Sequence, residues 1–534
     1  MTASQTSNKN SVDVIVVGSG HNGLIAACYL AKSGLDVLVL EAHETAGGMT
    51  ATNPMAPEAP DHLINEASIH ASMFHMSPID KELELGSKYG LRQRKIDPCH
   101  VQLNPNGDES LALWRDPKKT AEEIAYFSKK DAKAYLELCE LWDIALDIGL
   151  PFALGSPSNP GFGRMAGAIF RSLRHVRKLP KLAGLIRNSH AGLLEEIFDT
   201  EMARAPWTSA LPFMNFTADM GAFSMVYVGV LQRWGVTMFE GGTGAFPAAL
   251  IRCLEANKGK VRCNAPVAEI IVRQGAAKGV RLHNGEEILA NKGVLTAFSP
   301  KAVLNHLLPE GTLPADLERR AKNIPTSSRG VSDFKLNMAF KGKITPRRHQ
   351  AWRNKRDGLD LRLPTTQWGT HQGAIDAYNA CVKGEIPEMI PGQVQITTAF
   401  DESMAPPGHD TLWFWSGLVP FAPNQGWDEA RPIITDQIVR NISEVWDGIE
   451  EFEIARRPLV APDIEKRFRA IDGSVYHVDP LISRFGPGRP APGLANYKTP
   501  VDGLFLSGSG THPNAGICGL PGRNSALAMI KSLK

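Results

Sequence analysis

Val12-Asp-Val-Ile-Val-Val-Gly18-Ser-Gly20-His-Asn-Gly23 is the stretch whose reading decides the fold. The β-branched run Val12 to Val17 predicts a buried parallel strand. It leads directly into a G-x-G-x-x-G turn. Leu24 to Ser33, rich in Ala and Leu, predicts a helix with Gly34 just past its end. Leu35 to Leu40 predicts a second strand, and Glu41 stands at its end. Each glycine has a physical task. Gly18 lets the chain turn tightly, Gly20 removes a side chain where a pyrophosphate must approach the backbone, and Gly23 lets helix and strand pack closely. The helix N-terminus offers unpaired N–H groups and the positive end of its dipole to phosphates. Glu41, about twenty residues on, can accept hydrogen bonds from ribose hydroxyls. Taken by itself, G-x-G-x-x-G reads equally as a flexible turn. Between a strand and a helix, with an acid closing the next strand, it predicts dinucleotide binding.

Composition sets the outer limits. The 534 residues are 43% hydrophobic, ample for a large core in roughly two to four structural units. Charged residues make up 21% and nearly balance at +2, which gives no general drive towards nucleic acid. Cysteines 28, 99, 139, 253, 263, 381 and 518 form no C-x-x-C pair. Neither a zinc ribbon nor a dithiol site is expected, and scattered thiols fit a reducing compartment. Met1 to Ser11 is polar and predicts a short disordered tail rather than a signal peptide. No apolar run reaches the roughly 20 residues of a membrane span. The expected setting is cytoplasmic, as a soluble or at most membrane-surface protein.

The fingerprint alone does not choose between FAD and NAD. Shortly after Glu41 comes Thr45-Ala-Gly47-Gly48-Met49-Thr50. A glycine pair lets backbone lie against a bulky planar ligand or its phosphates, although an ordinary loop is also compatible with it. Here Asp13 to Thr50 resembles the extended FAD fingerprint of the phytoene desaturase-related flavoproteins. That group includes carotenoid and retinoid oxidoreductases, flavin-type carotene ketolases and uncharacterised pyridine nucleotide-disulfide oxidoreductase domain-containing relatives. The resemblance continues in Glu240-Gly-Gly-Thr-Gly-Ala-Phe-Pro-Ala-Ala-Leu250, and in Val261 to Pro300 with Val267, Gly279-Val280, Gly285 and Ala297-Phe-Ser-Pro300. Asp401 to Gly408 is similar in style. It is closest in Pro500-Val-Asp-Gly-Leu-Phe-Leu-Ser-Gly508-Ser-Gly510-Thr-His512-Pro-Asn514-Ala-Gly-Ile-Cys-Gly519-Leu-Pro-Gly522, which resembles the family's closing flavin motif.

The resemblance implies an α/β, glutathione-reductase-like FAD fold with a discontinuous Rossmann domain and a second, α+β substrate domain. The FAD domain is expected over 1–78, 234–300 and 471–534, and the substrate side over 79–233 and 301–470. FAD contacts are expected from Gly18, Gly20, Asn22, Gly23, Glu41, Gly47, Gly48, Met49, Val267, Gly510 and Gly519. The strand Gly503 to Ser507 would feed a glycine-rich turn, and a helix from about Gly522 would present its N-terminus to the flavin's pyrimidine edge, favouring the anionic reduced ring. Only one G-x-G-x-x-G opens a strand–helix unit, which argues against a separate NAD(P)H domain.

Elsewhere, Gly155–Gly163 and Gly486–Gly493 read as loops. Ala121 to Leu150 predicts a helix. Arg164 to Leu179, which Pro180 interrupts, mixes Arg171, Arg174, Arg177 and Lys178 with Ile169, Phe170, Leu173 and Val176. This pattern is compatible with a surface helix touching an anionic membrane or an apolar substrate's entrance, but reads first as a solvated helix packed by its apolar face.

Because a flavin carries the difficult redox step, few catalytic side chains are required. His512, inside the closing motif, is the candidate catalytic residue; a histidine bonded to backbone is the competing reading. Asn514 could position flavin or satisfy the turn. His70 and Trp415 are candidate substrate contacts, with His75 and Phe414 beside them, and each also reads as a structural residue. No motif calls for a metal. The expected reaction is dehydrogenation or another oxidation of a hydrophobic, terpenoid or polyene-like small molecule. A flavin amine or alcohol oxidase using oxygen is the alternative. A non-catalytic flavoprotein acting as an interaction scaffold is a third reading.

Overall fold

The computed structural model describes residues 11–71, 73–157, 161–209, 226–513 and 516–534. Two large sheets organise it. The first runs, in spatial order, Val267–Arg273, Ala276–Leu282, Glu287–Thr296, Ser11–Val17, Val37–Leu40 and Lys260–Arg262, with Leu504–Leu506 joining at Glu287–Thr296. The ten-residue strand Glu287–Thr296 serves two partners along one edge. Its first residues pair antiparallel with the hairpin at Gly279–Arg281, and its last three lie parallel to Leu504–Leu506. On its other edge it runs parallel to Ser11–Val17. A strand buried on both faces must be apolar throughout, and Val14, Ile15, Val16, Val294 and Leu295 are fully buried.

Helix His21–Lys32 packs on one face of this sheet, between Ala245–Ala256 and the closing helix Leu520–Ser532. Close packing fixes Gly23: a Cβ there would stand 2.0 Å from the Gly18 carbonyl oxygen and 3.0 Å from Ala297 Cβ. The fold is thus α/β and glutathione-reductase-like, as the resemblance implied.

The second sheet runs Glu453–Leu459, Val331–Phe340, Asp410–Pro420, Gly392–Ile396, Thr365–Trp368, His100–Leu103 and Ser110–Leu113. All its pairings are antiparallel except Thr365–Trp368 with His100–Leu103. Its two faces differ sharply, as period-2 alternation requires. Phe334, Leu336, Met338, Val394, Ile396, Leu412 and Phe414 share one core cluster with Ile434, Ile438 and Ile442 of helix Trp427–Ser443. The opposite face carries two cross-strand rows, Asn337–Trp413–Gln395–Thr365–His100 and Lys335–Trp415–Gln393–Gln367–Gln102. That polar and aromatic face is the one that meets the site.

Several element limits differ from those read in the sequence, each for a local reason. The second strand begins at Val37 rather than Leu35. The single helix expected over Ala121–Leu150 is two, Pro117–Phe127 and Lys129–Ala153, because the Ser128 side chain accepts from the Asp131 N–H and caps a new helix. Pro180 does not interrupt a helix. It sits in the first turn of Leu179–Arg187, where its missing N–H has no partner to lose, and the break falls after Arg174. The closing helix starts at Leu520, two residues before Gly522.

Candidate functional site

A cleft of about 880 Å³ opens at the C-terminal ends of the first sheet's central strands, over the turn that begins helix His21–Lys32. Gly18, with φ of +96°, makes that turn. At Gly20 nothing lies within 4 Å of where a Cβ would stand, so a ligand can rest directly on the backbone at the helix N-terminus. Glu41 closes the far side. Its Oε2 accepts from Ser19 N at 3.0 Å and from Ser19 Oγ at 2.5 Å, and its Oε1 accepts from His43 N at 3.1 Å.

Of the residues expected to contact cofactor, Gly18, Gly20, Asn22, Glu41, Gly48, Met49 and Val267 line this cleft. Gly23, Gly47, Gly510 and Gly519 do not line it but shape the backbone around it. Gly47 lies at φ of +124°, its N–H donating to Ser19 Oγ at 3.3 Å. A Cβ on Gly510 would fall 2.4 Å from Pro300 Cδ, and one on Gly519 would fall 2.4 Å from Ile25 Cδ1.

The first and last turns meet here. The Gly522 N–H donates to Asn22 Oδ1 at 3.3 Å, which orients the amide. Its Nδ2 therefore donates to His21 Nε2 at 3.0 Å, and His21 in turn bonds the Gly516 backbone. His21 is thus read as the Nδ1-protonated tautomer, and burial holds its pKa down to about 4. Behind the closing turn, Arg489 is fully buried and donates only to carbonyls: Ser509 O at 2.7 Å, Tyr476 O at 2.9 Å and Val478 O at 3.1 Å. Burial lowers its pKa to about 9.

His512 lines neither this cleft nor the second cavity. Its Nε2 donates to the Phe152 carbonyl at 3.0 Å, its own carbonyl accepts from the Tyr497 hydroxyl at 3.1 Å, and burial takes its pKa to about 4. Asn514 lies outside the described residues.

A second cavity, of about 1000 Å³, adjoins the cleft; His21, Met49 and Ser509 line both. His70, His100, Gln393, Trp413 and Trp415 enter it from the second sheet or the segment before it. Trp413 and Trp415 stack with centroids 6.1 Å apart, and the Trp413 indole donates to Ala67 O at 2.7 Å. Phe414, between them in sequence, faces the opposite core, so the expectation that it lines the pocket is corrected by strand alternation.

His70 is held in one protonation state. Thr365 gives its only hydroxyl proton to Gln395 Oε1 at 2.6 Å, so His70 Nε2, at 2.8 Å, must be the donor to Thr365. Burial lowers His70 to about 4 and pushes His100 well below the usual histidine range. His75 lines neither cavity; its Nε2 bonds Thr237 Oγ1 at 2.8 Å. Among the described residues lining the second cavity there is no carboxylate, lysine or arginine.

Sequence reading passed over several of these residues. His21 and Ser509 occupy the variable positions of their glycine motifs, where side-chain identity carries no signal. His100 and Trp413 come together only through sheet register, and Tyr476 reaches the cavity from the loop after Ile471–Gly473.

The geometry fits a dinucleotide whose phosphates rest at Gly20, whose ribose reaches Glu41, and whose ring end lies towards Ser509, where the two cavities join. Residues 23–519 match the family described as flavin containing amine oxidoreductase. The chain is 27% identical to mouse (Mus musculus) pyridine nucleotide-disulfide oxidoreductase domain-containing protein 2, over 98% of this chain and 94% of that one. It is 22% identical to the lycopene-forming phytoene desaturase of Pseudescherichia vulneris, over 97% and 99%. Among solved structures, putrescine oxidase bound to putrescine superposes with a TM-score of 0.59 at 17% identity, over 98% of this chain and 99% of that one. With residues 23–519, most of the chain, within the matched span, the chain belongs to the flavin containing amine oxidoreductase family and is an FAD-dependent oxidoreductase.

Proposed function

We propose that this oxidoreductase dehydrogenates a neutral, hydrophobic small molecule of terpenoid or polyene type, bound in the second cavity. The observation that carries this reading is the cavity's lining: mostly apolar and aromatic, with no carboxylate among its described residues and with His21, His70 and His100 all held towards the neutral form. A cationic substrate entering such a site would lose hydration without gaining a counter-charge. Bound FAD supplies a two-electron acceptor. The protein's part is to orient the reacting C–H bond and keep water out, which the stacked Trp413 and Trp415 are placed to do.

The phytoene desaturase relative supports a polyene-like substrate, and the fold of putrescine oxidase keeps amine or alcohol oxidation as the alternative. Anaerobic addition of candidate substrates to the holoenzyme, followed at the flavin band near roughly 450 nm, separates the readings. Bleaching by a polyene or terpenoid is the expected result. Bleaching only by amines or simple alcohols would move the assignment to an oxidase, and no bleaching by any class would favour a non-catalytic scaffold.

The same reading gives helix Phe162–Arg174 a role at an anionic membrane surface. Phe162 is 88% exposed and Phe170 64%, with Ile169 and Leu173 also exposed beside Arg171 and Arg174. An apolar patch rimmed by arginines suits the headgroup–acyl boundary of an anionic bilayer. Among the described residues no helix is long and apolar enough to cross a membrane.

A further inference from the structure

The second cavity contains a polar group that no described residue satisfies. His100 is 1% exposed, lines the cavity, and among the described residues has no hydrogen-bond partner on either ring nitrogen. His70 stands edge to face with it, centroids 5.4 Å apart. The contrast with the rest of the lining is sharp. Thr50 Oγ1 donates to Gly47 O at 2.7 Å, Ser68 Oγ donates to Met49 O at 2.9 Å, and Trp413 donates to Ala67 O. His70 is tied to Thr365 and His21 to Asn22. The Trp415 indole N–H sits beside the Asp333 carboxyl without closing a hydrogen bond. Buried polar atoms in native proteins are almost always paired, and an exception in a cavity wall marks a place for a ligand's polar atom.

We propose that His100 is a specificity-determining residue, the polar anchor for a neutral oxygen function, a hydroxyl or carbonyl, on an otherwise hydrophobic ligand. This rests on the reading of the second cavity as the substrate site and narrows its substrate class to an oxygenated terpenoid or polyene. A neutral imidazole offers one donor and one acceptor, so a hydroxyl or a carbonyl oxygen can be satisfied, whereas an unsubstituted chain leaves both nitrogens orphaned. A site built to bond a polar group discriminates strongly against the analogue that lacks it, because its own buried group is then left unpaired. The sheet positions the ring: His100 ends the cross-strand row that begins at Asn337, and Thr365 beside it is already committed to His70 and Gln395. His100 is therefore the member of that row still open to a ligand.

The test uses the holoenzyme with its flavin reduced beforehand, so that no turnover intervenes, and a matched pair of probes, farnesol and farnesene. Dissociation constants are read from quenching of tryptophan fluorescence. Wild type is expected to bind farnesol at least about tenfold more tightly than farnesene. His100→Phe is expected to abolish that preference while keeping its affinity for farnesene, which also shows that the variant has folded. His100→Gln is expected to restore part of the preference. Equal binding of the two probes by wild type, or a preference that survives in His100→Phe, would overturn the assignment of His100 alone. Failure of wild type to bind either probe would overturn the hydrophobic-substrate reading itself, and this inference with it.

Discussion

The Gly522 N–H donates to Asn22 Oδ1 at 3.3 Å, joining turns that lie 500 residues apart in the chain. The contact is backbone-close: a Cβ on Gly522 would stand 2.2 Å from the Asn22 carbonyl oxygen. Helix Leu520–Ser532 packs against helix His21–Lys32 at this point, and the nucleotide turn is held in place from behind. Gly522→Ala should therefore push the two helices apart at a cost of about 1–3 kcal/mol and weaken FAD retention. Thermal unfolding with and without added FAD checks this. An unchanged midpoint and unchanged flavin content would show that the junction tolerates the methyl group.

Glu41 faces the nucleotide cleft with a carboxylate already accepting from Ser19 and His43. If Glu41 accepts from the ribose, as expected, Glu41→Ala should lower FAD affinity by about tenfold or more, in line with a hydrogen bond to a charged group. FMN, which lacks the adenosine ribose, should bind wild type and variant alike. The paired measurement separates a lost ribose contact from a collapsed turn, since collapse would weaken both cofactors.

His512 bonds the Phe152 carbonyl and stands outside both cavities. We expect it to act as a positioning residue that ties the closing turn to the end of helix Lys129–Ala153. His512→Ala should lower thermal stability by about 1–3 kcal/mol, the cost of an orphaned buried carbonyl. The rate of flavin reduction at saturating substrate should change little. A loss of that rate with stability intact would instead make His512 catalytic.

Burial holds His21, His70, His477 and His512 at about 4, against an ordinary value of 6.5. Between those limits the unfolded chain binds more protons than the folded one, so stability rises with pH across that window. The stability these neutral rings contribute is complete above pH 6.5 and is lost as pH falls towards 4. The unfolding midpoint should drop steadily over that range, and His70→Gln should make the slope shallower. A flat profile would mean that these rings titrate normally.

Helix Phe162–Arg174 should carry the protein onto vesicles containing phosphatidylglycerol but not onto phosphatidylcholine alone. Flotation should show the difference, and added salt should weaken it. Phe162→Ser combined with Phe170→Ser should abolish binding without moving the unfolding midpoint, since both side chains are already in water. Concentration-dependent dimerisation that this double substitution disrupts would assign the patch to a second copy instead.

Much of this protein was decided by the order of its residues alone. The strand–turn–helix from Val12 to Ser33 is local: its β-branched run, its glycine spacing and its helix formers act within a few residues of one another, so the nucleotide turn and its acid at Glu41 could be read directly. The closing motif was legible through its resemblance to the family's flavin motif. The second cavity was not. Trp413, Trp415 and Phe414 are neighbours in sequence, yet strand alternation sends the tryptophans to the cavity and the phenylalanine to the opposite core. His100 lies hundreds of residues from them and comes alongside because Thr365–Trp368 pairs with His100–Leu103 and Gly392–Ile396 pairs with Asp410–Pro420. His512 shows the converse: a residue inside a flavin motif is turned to a helix end by contacts from Phe152 and Tyr497. Local sequence fixes what backbone geometry a turn adopts. Which side chains share a cavity is set by non-local strand register and by the packing of one sheet against another, and only the folded chain decides those.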